Sequence, residues 1–149
     1  MWNGVPDGTE DGDEFLSDTD GKNAPQFDWV TGRSACSLAK VFSALMLQVE
    51  ADVTTRNALR PSNSPYKFSA TENGGSFTVF LEAKEIHMSV VFSLAEHAIM
   101  VREGNGTPKF EVTLAFTDAG ACVMKVNGEE RESWQVRRMA LEDLFFASY

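Results

Sequence analysis

Leu38, Val41, Phe42, Leu45, Val49 and Val53 recur at three- and four-residue spacing, which predicts one long helix from Ser34 to about Leu59. Cys36, Ala39, Met46 and Leu47 widen that stripe and leave a narrow polar strip of Ser37, Lys40, Gln48, Asp52 and Thr55. A helix with so broad an apolar surface is expected to be covered on most sides. Thr31 or Ser34 can cap its start, and Arg60-Pro61 ends it, because a residue before proline is pushed out of the helical region.

From Tyr66 to about Val126 the period falls to two. Phe77/Val79/Leu81, Ile86/Met88/Val90/Phe92 and Phe110/Val112/Leu114/Phe116 each line one side of a strand, opposite Thr78, His87, Ser89, Glu111, Thr113 and Thr117. Such alternation marks antiparallel strands with one face on a core. Asn73-Gly74-Gly75, Gly104-Asn105-Gly106, Asp118-Ala119-Gly120 and Asn127-Gly128 punctuate the run with hairpin turns. Strands joined so tightly must pair with their sequence neighbours, which predicts a meander of five or six strands whose apolar side faces Leu38, Phe42, Leu45 and Val49.

Helical spacing returns from about Glu132 to Ala147. Trp134, Leu141 and Phe145 share one side, Val136, Ala140 and Leu144 a second, and Met139 and Phe146 a third. One sheet and one neighbouring helix cover two such rows, so the third is expected to serve an interface. The fold expected is therefore α+β: a long N-terminal helix, the meander, and a C-terminal helix packed on the same face.

Charge divides the chain. Residues 1–30 hold eight acids against Lys22 alone, and the remaining 119 residues are close to neutral, within a total of -9. Residues 1–26 read as an acidic, flexible leader and 27–149 as a single domain, with Phe27 and Trp29 anchoring one to the other. Asp7, Thr9, Asp11, Gly12 and Asp18 fall at calcium-loop spacing, but Glu14 stands where an aliphatic residue belongs and no helix precedes them. No metal or cofactor is expected. No apolar run approaches a membrane span, and neither a membrane segment nor a secretory signal is expected. Cys36 and Cys122 both fall in apolar positions; a bridge between them stays open, but two buried thiols in the cytoplasm is the reading favoured.

Catalytic patterns are lacking. A hairpin at Leu94-Ala95 would pair Phe92 with His97 and His87 with Arg102, setting the two histidines roughly 15 Å apart, too far for one metal or proton relay. Arg131, Arg137 and Arg138 gather near Trp134, yet Glu129, Glu130, Glu132, Glu142 and Asp143 offset them, which argues against nucleic acid. These arginines suit an acidic protein partner, or the leader itself. In gross character alone the chain resembles dimeric secretion chaperones and small phage-type inhibitors, with no shared residue motif. The function expected is a non-enzymatic protein-interaction module of adaptor, chaperone-like or inhibitor type, forming a homo-oligomer. Its binding surface would comprise Trp134, Arg137, Arg138, Leu141, Phe145, Phe146 and Tyr149. The alternative is a small-molecule-binding protein or unusual hydrolase with a pocket between helix and sheet, in which His87, Ser89 and Arg102 are the first candidates.

Overall fold

The computed structural model describes residues 26–83 and 85–147. The acidic leader up to residue 25, its calcium-like spacing and Tyr149 lie outside the described residues. Two helices lead, α1 (Trp29–Ala35) and α2 (Leu38–Leu59), and α3 (Ser133–Phe146) closes the domain. Between them run β1 (Lys67–Asn73), β2 (Ser76–Glu82), β3 (Ser89–Leu94), β4 (Ile99–Glu103), β5 (Pro108–Phe116), β6 (Cys122–Val126) and β7 (Glu129–Arg131). All seven strands pair with their sequence neighbours in one antiparallel sheet. The α+β meander with its C-terminal helix on the apolar face is thus the observed architecture. Its seventh strand is too short to reveal itself by alternation. A two-residue Asn127-Gly128 turn makes it, with both residues at positive φ (55° and 79°), the conformation that asparagine and glycine tolerate best.

The helical segment before the sheet departs from the expectation of one continuous helix starting at Ser34. It breaks at Cys36-Ser37, where Ser37 is extended and its hydroxyl accepts from the Lys40 N–H (3.2 Å), capping α2. Thr31 and Ser34 lie inside α1, whose cap is Asp28. That carboxylate accepts from the Thr31 hydroxyl (2.6 Å) and N–H (3.1 Å), which hold its pKa below the ordinary carboxylate value. The cap is therefore fully formed above the usual carboxylate pKa and lost as acidification carries pH through the lowered one. The break also corrects the reading of the cysteines: Cys36 and Cys122 form a disulfide, with Cα atoms 5.3 Å apart, tying the α1–α2 junction to β6. Sequence spacing places both in apolar phases, but only the return of β6 beside the junction brings them together.

Inward side chains of the sheet, including Phe68, Phe77, Val79, Leu81, Val90, Phe92, Ile99, Val101 and Val112, form one buried cluster with both long helices. From α2 come Phe42, Leu45, Val49 and Val53; from α3, Val136, Ala140, Leu141, Leu144 and Phe145. Phe77 stacks on Phe92 with centroids 4.5 Å apart and meets Phe42 at 5.1 Å, joining helix to sheet at the centre. Leu114 and Phe116 were expected in this core but are half-buried outside it, Phe116 lying under Phe27 near α1. The broad covering expected for α2 is not found either. One stripe is buried while Ala39 and Leu47 face water, because the sheet meets the helix on one side only.

Edge strand β1 has a polar guard. The Asn57 amide of α2 donates to the Phe68 carbonyl (2.8 Å) and accepts from its N–H (2.9 Å), as a strand partner would.

Two stability measurements follow from this packing. Cys36→Ser opens a disulfide spanning 86 residues and should cost about 2–5 kcal/mol, a fall of roughly 5–15 °C in Tm that added reductant reproduces in the wild type. A variant melting within about 2 °C of wild type would show that the bridge does not hold the junction. Asn57→Ala should cost about 1–3 kcal/mol in denaturant titration, since it orphans both Phe68 backbone groups; no loss would mean water replaces the amide freely.

Candidate functional site

Three polar links join α2 to α3 at ascending positions in both helices, so the two run in the same direction. Gln48 accepts from the Ser133 hydroxyl, Asp52 accepts twice from Arg137 (both 2.8 Å), and Arg56 Nε donates to the Phe145 carbonyl (2.9 Å). Gln48, Asp52 and Arg56 are four residues apart, so one face of α2 makes all three links. Long polar side chains therefore span the seam, and its outer side is left as a groove of about 320 Å³.

Leu141 and Phe145 form the buried floor of this groove, Phe145 meeting Phe68 edge-on at 5.0 Å. Leu59, Trp134 and Phe146 line it while remaining 74%, 52% and 67% exposed. These three rings and branches are large apolar groups left in water at the mouth of one concavity. Trp134 is held in place by its indole N–H, which donates to Glu132 (3.0 Å), and Gln135 accepts from the Glu132 N–H (2.8 Å) at the start of α3.

The rim is charged, with three arginines and two acids. Arg137 is occupied by half-buried Asp52, and Arg138 pairs with Glu142 (2.9 Å) in an exposed contact between residues four apart. An exposed pair of that kind contributes little and exchanges readily for another partner. The Arg56 guanidinium lies 4.9 Å from the Phe146 ring centre and 5.5 Å from that of Phe68. Among the described residues no carboxylate lies within 4.0 Å of it, so the groove keeps a positive centre stacked on aromatic faces.

Six of the seven residues expected to bind a partner (Trp134, Arg137, Arg138, Leu141, Phe145 and Phe146) line this one groove, and the seventh, Tyr149, lies outside the described residues. Their roles separate: Leu141 and Phe145 belong to the core, and Trp134 and Phe146 are the exposed pair. Asp52, Thr55, Arg56 and Leu59 were missed as site residues, because Asp52 and Thr55 read as a solvated strip. The matching signal was available in the four-residue spacing of Gln48, Asp52 and Arg56 beside that of Ser133 and Arg137.

The three residues of the alternative pocket are not brought together. β3 pairs Leu94 with Ile99 and Phe92 with Val101, not with His97, because the turn centres on Glu96-His97, two residues further on, where the Ala95 N–H donates to the Ala98 carbonyl (2.9 Å). Arg102 therefore stands opposite Val91, while His87 and Ser89 line a separate cleft of about 630 Å³ with Glu103, Lys109 and Asp143. His87 and Ser89 share no hydrogen bond, and the Ser89 hydroxyl packs against Gly104, where a Cβ would come within 1.9 Å of it. No group of three His, Cys, Asp or Glu side chains among the described residues is placed to hold a metal. No described helix is long and apolar enough to cross a membrane.

Comparison with known proteins gives no match, whether to a family model, a curated protein or a solved structure.

Burial predicts how Arg137 and Arg138 differ. Arg137→Ala leaves Asp52 half-buried without its partner and should cost about 1–3 kcal/mol in urea unfolding. Arg138→Ala, at an exposed pair, should cost under about 0.5 kcal/mol. Equal losses would show that the Asp52–Arg137 link does not hold the seam.

Proposed function

We propose that this protein is a non-enzymatic interaction module whose α2–α3 groove takes an apolar segment of a protein partner flanked by acidic residues. The observation that carries this reading is the groove itself: Leu59, Trp134 and Phe146 exposed around an apolar floor, with a guanidinium that has no carboxylate beside it among the described residues. Covering the three would recover several kcal/mol at about 25 cal/mol per Å². Arg56, with Arg138 released from its exposed pair, selects the sign of the flanks. The groove is concave and favours an inserted segment over a flat helix face, so a second copy of the chain is the competing occupant rather than the preferred one.

The cytoplasmic placement expected from two free thiols loses its support with the Cys36–Cys122 bridge, and an oxidising compartment suits the disulfide better. A second reading, a small-molecule binder, draws on the cleft around His87, Ser89, Glu103, Lys109 and Asp143. Hydrolysis there is not favoured, because among the described residues no base is hydrogen-bonded to the Ser89 hydroxyl.

The test uses two designed fluorescent peptides, each with a central Phe-Leu pair, one flanked by aspartates and one by lysines. The acidic peptide should bind at least tenfold tighter, and Trp134→Asp with Phe146→Asp should weaken it at least tenfold while leaving Tm near that of wild type, since both positions are exposed. Phe145 is left intact because it is buried. Equal binding of the two peptides, or undiminished binding by the double variant, would overturn the reading. Light scattering on the same samples identifies a second copy as the occupant if the wild type is a dimer and the variant a monomer, which also overturns it.

A further inference from the structure

The groove's chemistry matches one segment of this same chain. Residues 1–25 carry Asp7, Glu10, Asp11, Asp13, Glu14, Asp18 and Asp20 against Lys22 alone. In their midst Phe15 and Leu16 are adjacent apolar residues with acids on both sides. We propose that this segment, Asp13-Glu14-Phe15-Leu16-Ser17-Asp18, occupies the α2–α3 groove of its own body and must leave before another partner can enter. The inference rests on the reading of the groove as a site for acidic-flanked apolar segments.

Three observations support it. The first is charge: the leader holds most of the chain's net negative charge, and among the described residues no carboxylate stands beside Arg56 at the groove mouth. The second is size, since a groove of about 320 Å³ has room for two large apolar side chains.

The third is reach. The chain enters the described body at Phe27, which stacks on Phe116. Phe116 pairs with Cys122, which is bonded to Cys36, so Phe27 lies near the start of α2, and α2 rises about 21 Å from Leu38 to Asp52 at 1.5 Å per residue. About eleven residues from Leu16 to Phe27 span up to roughly 36–40 Å when extended. Phe15 and Leu16 are therefore within reach of the groove.

A tethered segment competes at an effective concentration on the order of 1 mM. Against an intrinsic Kd on the order of 100 µM, it would weaken an outside ligand about tenfold.

The experiment compares the full-length wild type with Phe15→Ser/Leu16→Ser, a change outside the folded core described above. Two readouts are taken: the NMR position of the Trp134 indole N–H, and binding of a fluorescent synthetic peptide spanning Glu10 to Asp20. The expected result is an indole resonance that moves in the variant, and peptide binding about tenfold tighter to the variant than to wild type. Arg56→Gln placed in the variant should weaken the peptide again. An unmoved indole with equal peptide binding to both chains overturns the inference while the groove reading stands. A peptide that binds neither chain, while the designed aspartate-flanked peptide still binds, has the same meaning; if neither peptide binds, the groove reading fails as well. Indole positions that change with protein concentration would place the segment on a second copy and overturn the intramolecular form.

Discussion

Seven strands laid side by side present one apolar face, and that face has to be taken out of water by two helices drawn from opposite ends of the described chain. Neither helix suffices alone. α2 brings Phe42, Leu45, Val49 and Val53 to the sheet, and α3 brings Val136, Ala140 and Leu144, with Leu141 and Phe145 closing the space between the helices. The stack of Phe42, Phe77 and Phe92 lies where the first helix meets the sheet. The disulfide and the Asn57 amide then secure the margins, one at the α1–α2 junction and one at the β1 edge.

The groove is a consequence of that arrangement. Two helices resting on one sheet and running the same way meet along a seam, and here the seam is bridged by Gln48–Ser133, Asp52–Arg137 and Arg56–Phe145. Side chains long enough to bridge also keep the outer surfaces apart. Among the described residues the Met139–Phe146 row of α3 has no element to cover it, and Trp134 at the start of the helix also remains at the surface, with Leu59 exposed on α2. Arg56 belongs to both tasks: its Nε ties down the end of α3, and its guanidinium plane rests over two phenylalanine rings.

A polar contact inside such a seam carries more specificity than the apolar rows beneath it. Hydrophobic burial would tolerate a shift of α3 by a turn along α2, since either register brings apolar side chains to the sheet. The Asp52–Arg137 pair, partly shielded from water, is satisfied in one register only, and a mismatch would leave a carboxylate and a guanidinium without partners. The same reasoning explains why the rim arginines are unequal despite being adjacent in sequence.

Periodicity by itself determined the two long helices and the run of antiparallel strands, though not α1 or β7, because burial on one side writes a period of 3.6 or 2 directly into the chain. The stripe from Leu38 to Val53, the strand alternation, the Asn127-Gly128 turn and the three rows of α3 were all legible in this way, as was the crowding that leaves Phe146 outside. The groove's α3 half was legible for the same reason. Its α2 half was not: Asp52 and Arg56 look like solvent-facing charges until a second helix is laid beside them. The Cys36–Cys122 bridge, the break at Ser37 and the offset of Leu94 to Ile99 likewise depended on tertiary structure. Each is a relation between distant or competing partners, decided by where the sheet brings the chain back, and local spacing carries no record of that distance.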